Sequence, residues 1–162
     1  MDKTCSFTGH RRIEREHLQS LPALLDRAIE YAYGEGCRTF CTGGAIGFDT
    51  EAARRVLLFR LSHSDVRLVL LLPCPEQSER FSERARDAYD FILKNADEVV
   101  YAEEAYTAAC MKERNRMLAE RCDLLIAYLG HERSGSAQTT MMAKRLGRPV
   151  YNLFPALSKK SL

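Results

Sequence analysis

Short apolar, strand-like runs alternate with helix-period stretches along the whole chain, and this alternation is what most limits the fold. Lys3–Thr8 (KTCSFT) precedes a helical pattern that puts Leu18, Leu21, Leu25, Ala28, Ile29 and Ala32 on one stripe. Pro22 fits only a first turn, so that helix starts near Ser20 as its N-cap, and Gly34 and Gly36 end it. Arg38–Thr42 is the next strand, and Gly43-Gly44-Ala45-Ile46-Gly47 leads into a helix through about Leu61. Val66–Leu72 reads as a buried strand closed by Pro73 and Pro75. Ser78–Asn95 is helical, with Phe81, Ala85, Tyr89 and Ile92 in register, and Glu98–Tyr101 is a short strand. Ala108–Arg121 is a helix, with Met111, Leu118 and Cys122 near one face. Asp123–Leu129 is the fifth strand, Ser136–Leu146 a helix closed by Gly147, and Val150–Phe154 the sixth strand.

This pattern predicts the α/β class: a Rossmann-like three-layer sandwich with a mainly parallel six-stranded sheet, since right-handed crossovers place helices on both faces. One domain is expected over residues 1–157, with a short polar tail at 158–162. Ligands of such sheets bind beyond the carboxyl ends of the strands. With Thr8, Thr42 and Leu72 at those ends, the loops to inspect are Gly9–Arg12, Gly43–Asp49, Pro73–Gln77 and Gly130–Ser136.

Composition narrows the functional classes. The chain is 46% apolar and 28% charged, which excludes disorder and a disulfide-dense mini-domain. Its 24 Lys and Arg against 22 Asp and Glu give a net charge of +2, unlike a surface built wholly to trap polyanions. The most apolar run, Leu68–Leu72, is far short of the roughly 18 residues of a membrane span. The N-terminus has no signal-like apolar stretch, so a cytoplasmic protein that avoids membranes is expected. The six cysteines lie mostly in or beside strand-like runs without a CxxC pair and are expected to be reduced, buried thiols. His10, His17, His63 and His131 show no ligand spacing, so neither a metal nor a prosthetic group is expected.

The strongest local signal is TGGAIGFDTEAA, Thr42–Ala53. Gly43, Gly44, Ala45 and Gly47 lie between a strand and a helix start, where free N–H groups and the positive dipole end suit a phosphate. The spacing matches neither the dinucleotide-binding nor the P-loop fingerprint; anion binding is the favoured reading and a plain tight turn the alternative. Asp49 and Thr50 either cap this helix or, for Asp49, accept a bond from a ribose hydroxyl. Thr8, Gly9, His10 and Arg11 form a second glycine-marked turn, in which Arg11 can fork onto phosphate or be surface charge. GHERSGSAQTT puts Gly130, Glu132, Ser134, Gly135, Ser136 and Thr139 around a third, where anion binding and ordinary Ser capping fit equally. Pro73 and Gln77 follow the third strand, and Arg114 and Asn115 sit within the helical KERNRM. Lys112 and Arg116 are i,i+4 neighbours, so Arg114 points elsewhere.

KTCSFTGHR, FCTGGAIGFDTEAA, LLPCPEQSERF, ADEVVYAEEAYTAACMKERNRML and CDLLIAYLGHERSGSAQTTMMAKRLGRPV together cover most of the chain. In this order they resemble the YpsA-like family within the Smf/DprA–Lonely Guy (SLOG) superfamily. The resemblance implies a Rossmann-like domain whose site binds nucleotides or nucleotide-derived molecules. Lonely Guy enzymes in the superfamily split nucleoside monophosphates, pairing an Arg with a Glu. Arg114 matches that Arg, but Gln138 stands where the Glu belongs, which speaks against hydrolysis. Asp49 and Glu132 are the replacement carboxylates, and with Arg114 they are the candidate catalytic residues. DprA-like members share the GHR and GGAIGFD turns and bind single-stranded DNA, yet here acids stand beside nearly every basic cluster, so nucleic acid is the weaker alternative. The expected function is binding of a nucleotide-type ligand, as sensor or sequestering protein. A Lonely Guy-like hydrolase and DNA binding remain the alternatives. A homodimer could use the Phe59, Tyr89 and Tyr106 regions.

Overall fold

The computed structural model describes residues 2–159. The strands are β1 (Lys3–Gly9), β2 (Cys37–Thr42), β3 (Arg67–Leu72), β4 (Glu98–Tyr101), β5 (Leu124–Tyr128) and β6 (Val150–Asn152). They form one sheet in the order β4-β3-β2-β1-β5-β6, with every neighbouring pair parallel. The helices are α1 (Leu21–Gly34), α2 (Phe48–Arg60), α3 (Glu83–Asn95), α4 (Cys110–Arg121), α5 (Gly135–Arg145) and the short α6 (Phe154–Ser158). Helices α1, α2 and α3 adjoin one another on one face, and α4 packs on α5 across the other. This is the expected three-layer α/β sandwich, and its six strands are all parallel.

The strands read as continuous apolar runs because both faces are covered. In β3, Leu68, Leu70 and Leu72 enter the large core under α1–α3, while Val69 and Leu71 join Cys41 and Leu118 beneath α4. Phe7, Phe40, Phe48 and Tyr128 fill the centre of the large core, with Phe48 stacked on Tyr128 at 5.6 Å between ring centroids. All six cysteines are free and buried, as expected for thiols serving as small apolar side chains.

Several expectations need correction. Leu18 is 56% exposed and lies after a 3-10 turn at Arg15–His17, outside the α1 stripe. The helix expected from Ser78 begins at Glu83, because Pro75–Ser78 forms a 3-10 turn and the Ser82 hydroxyl caps the helix by accepting the Ala85 amide at 3.2 Å. The last strand ends at Asn152, whose side-chain oxygen accepts the Phe154 amide as α6 opens. Ser158, placed in the polar tail, closes α6, and residues 160–162 of that tail lie outside the described residues. Among the described residues no helix is long and apolar enough to cross a membrane.

The connection pattern fixes where a site can form. From β1 the chain steps outward to β4, and α4 then carries it back across the sheet to the far side of β1, where β5 and β6 are added. The strand order therefore reverses between β1 and β5. At such a reversal the loops diverge and leave a crevice at the carboxyl edge.

Candidate functional site

A cavity of about 230 Å³ lies at this reversal. Thr8, Gly9, His10 and Arg11 reach it from the end of β1, Ala45 and Asp49 from the loop after β2, and Ser134, Gly135 and Ser136 from the start of α5. Met111, Arg114, Asn115 and Leu118 form the wall given by α4. The arrangement thus brings together eleven of the residues singled out above, from segments more than a hundred residues apart in sequence.

Arg114 is the central side chain. Only 5% of it is exposed, whereas Lys112 and Arg116 on the same helix face solvent. Its Nε donates to Asn115 Oδ1 at 2.9 Å, one terminal nitrogen donates to the Gly43 carbonyl, and the other finds only the Met111 sulfur at 3.6 Å. A thioether is a weak acceptor, so the guanidinium retains donor capacity. Burial lowers the Arg114 pKa, and the charge of Asp49 opposes that shift.

Asp49 sits in the first turn of α2 and is 6% exposed. Its Oδ2 accepts the Ala45 amide at 3.3 Å, its Oδ1 is sealed from solvent, and the Gly43 amide also acts on the carboxyl. Burial pushes its carboxyl up to about 6, with Arg114 and the loop amide pulling the other way. The α5 start is capped by Ser134, whose hydroxyl accepts the Ala137 amide at 3.1 Å, and Ser136 ties the loop down by donating to the Gly9 carbonyl at 2.8 Å. His10 Nε2 accepts the Gly130 amide at 2.8 Å, so this nitrogen carries no proton, and burial followed by the neighbouring His131 lowers its pKa. His10 and His131 stack at 4.2 Å between centroids. Beside them a second cavity of about 340 Å³ shares His10 and Arg11 with the first and adds Phe154.

The glycine-rich loop is built for the protein's own side chains more than for a ligand. A Cβ on Gly43 would fall 2.7 Å from Arg114, one on Gly44 would strike Leu72 at 2.4 Å, and one on Gly47 would strike the Arg11 carbonyl at 2.1 Å. Gly43, Gly44 and Gly47 therefore shape the site from behind its wall. Gln77 is bound to the loop through Nε2 and the Gly43 carbonyl at 3.3 Å, and the Pro73 carbonyl accepts the Glu103 amide. Neither lines the cavity. Thr50 is also spent on the loop, donating to the Ala45 carbonyl at 2.9 Å. Thr139 is fully buried and donates back to the Gly135 carbonyl within α5, and Gly130 belongs to the second cavity. Glu132 and Gln138 are exposed and line neither cavity, which leaves Asp49 as the only carboxylate among the described residues lining the first. Met111 and Leu118 are the lining residues the sequence does not flag as ligand contacts, since an apolar stripe on a helix reads as core. Of the regions suggested for pairing two copies, Tyr89 is buried and Phe59 stacks on His63 at 3.8 Å, so only Tyr106 is an exposed aromatic.

Known proteins share this scaffold. DNA processing protein A from Helicobacter pylori, described for its single-stranded DNA binding mode, superimposes with a TM-score of 0.66 at 18% identity, over 91% of this chain and 63% of that one. DNA processing protein A from Streptococcus pneumoniae gives 0.65 at 19% identity, over 92% of this chain and 49% of that one. This chain thus spans about half to under two thirds of those proteins. A UPF0398 protein of Bacillus thuringiensis (strain Al Hakam) is 25% identical over 159 residues, 93% of this chain and 86% of that protein. The UPF0398 protein BCB4264_A1614 of Bacillus cereus (strain B4264) is 26% identical over 143 residues, covering 83% and 78%. A family model described as the YspA SLOG family matches residues 6–152, from the middle of β1 to the end of β6, and the chain belongs to that family.

Proposed function

We propose that the protein binds a nucleotide or nucleotide-derived ligand in the cavity between β1 and β5 and leaves it intact. The observation that carries this reading is Arg114, a buried guanidinium with unspent donors in a cavity that also holds the α5 N-terminus. Fixed positive groups in a partly dry site favour a phosphate far more than they would in water. Cleavage of a glycosidic bond asks for an acid–base carboxylate near the reacting centre. The Lonely Guy position is Gln138, exposed at the surface, and Asp49, the carboxylate lining the cavity, stands outside that motif.

Protein purified from cells, examined by native mass spectrometry, is expected to carry a nucleotide-sized mass, and a nucleotide panel should raise its unfolding temperature. Arg114→Ala should weaken binding roughly ten- to a hundredfold, the value of a charge-assisted hydrogen bond. Chromatography of nucleoside monophosphates incubated with the wild type should reveal no free base. Brisk base release that Arg114→Ala abolishes would make the protein a hydrolase instead.

Single-stranded DNA is the second reading, favoured by the likeness to the Helicobacter protein. It predicts oligonucleotide affinity that falls steeply with salt and loses one phosphate's worth of slope in Arg11→Ala.

A further inference from the structure

We infer that the second cavity is the seat of the base, and that it takes a guanine-type purine whose ribose phosphate lies in the first; this rests on the nucleotide reading above. The two cavities adjoin, since His10 and Arg11 line both. At about 230 Å³ the first is smaller than the roughly 300 Å³ at which sites for larger ligands begin, so it suits a sugar phosphate alone. Arg114 and the start of α5 hold the phosphate there, and a base attached to the same sugar passes His10 into the second cavity, of about 340 Å³.

Two features of the second cavity suit a flat ring. The first is a set of aromatic walls held in place from behind. The exposed His131 ring lies parallel to His10, with 10° between the planes and 4.2 Å between centroids. His10 is itself fixed by the Gly130 amide, which its Nε2 accepts at 2.8 Å, and by edge contact with Tyr128. Phe154 lies so close to Gly130 that a Cβ there would fall 2.5 Å from its ring, and it packs edge-on against His17 at 4.8 Å. Rings fixed in this way lose little freedom when a base stacks on them. The second feature is the charge around these rings. Arg11, Arg12 and Glu14 line the same cavity, and among the described residues none of the three is in an ion pair. Guanine matches that set. Its N1–H and exocyclic amine are paired donors for one carboxylate, and its O6 and N7 are paired acceptors for one guanidinium. Adenine sets an acceptor nitrogen beside its amine, so it meets Glu14 with one donor and one repulsive lone pair.

Titration calorimetry with guanosine 5′-monophosphate, adenosine 5′-monophosphate and ribose 5-phosphate tests this. The wild type should bind the guanosine nucleotide at least about tenfold more tightly than either of the others, the value of a hydrogen bond to a charged acceptor. His131→Ala should weaken it roughly five- to a hundredfold, the range for a base stacked on one aromatic ring, and leave ribose 5-phosphate unchanged. His131→Phe, which keeps a flat ring, should hold most of the wild-type affinity. Glu14→Gln should cancel the preference for guanine over adenine. A guanosine nucleotide bound no more tightly than ribose 5-phosphate, or unaffected by His131→Ala, overturns the base seat and leaves binding of a nucleotide-derived phosphate standing. Equal affinity for the two nucleotides in the wild type, or a preference that survives Glu14→Gln, overturns the choice of guanine. Binding of none of the three ligands overturns both readings.

Discussion

The charge on Asp49 is a burden to the folded state. Its carboxyl lies near 6 in the fold against an ordinary 3.8, so the folded state prefers the protonated form. Stability from this group is fully present below the unfolded value and is lost as pH rises through about 6. At neutral pH the ionised group costs on the order of 3 kcal/mol. Asp49→Asn should therefore raise the unfolding temperature by several degrees at pH 7.5, and the gain should shrink toward nothing near pH 4, as thermal melts at both pH values would show. A side chain that weakens the fold at working pH fits a site better than a scaffold. The sequence put Asp49 at a helix start but left capping and binding open, because its local pattern is the same for both. Arg114 was legible only in part. The spacing of Lys112 and Arg116 turned it away from them, but its burial depends on the Gly43 carbonyl, 71 residues distant, which no helical period can reveal.

At the scale of elements, the loop between β2 and α2 is set by backbone room. Gly44 has a φ of +70° and faces Leu72, whereas Gly147, at +78°, faces open space. Gly147→Ala should cost about 1 kcal/mol, the conformational term alone. Gly44→Ala should cost at least about twice that, since Leu72 must also move, and urea titrations of the two variants would separate the terms. Ser134→Ala should remove the α5 cap for about 1 kcal/mol and weaken phosphate together with stability. The sequence marked these glycines as special but could not say for what, because a close approach to a ligand and one to Leu72 select the same residue. Apart from the end of β6, strand positions were legible within a residue or so, since continuous apolar runs and prolines mark them. The start of α3 and the whole of α6 were not, because the Ser82 cap and the bond from the Phe154 amide to the Asn152 side chain decide them locally.

Across the whole molecule, the parallel sheet explains the quiet chemistry of its thiols. Burial raises the pKa of Cys37, Cys74 and Cys122 to about 11 and that of Cys41 to about 12. The native protein should react slowly with thiol reagents at pH 7.5, and mass spectrometry after urea treatment should count six labels. The layered architecture was readable because strand and helix alternate without interruption. The place of the reversal was not, since a chain that simply continued outward would show the same alternation. That reversal has a consequence for how the molecule is made. Strand β1 is synthesised before the other strands of the sheet, yet its partner β5 begins only at Leu124, so one edge of β1 stays unpaired until more than a hundred further residues have followed it. An open central edge is an aggregation hazard for as long as it lasts. The cavity straddles that same seam and closes only when the last third of the chain docks. A ligand held there would reward the finished sheet and none of its precursors, so its binding would report that the sheet is whole.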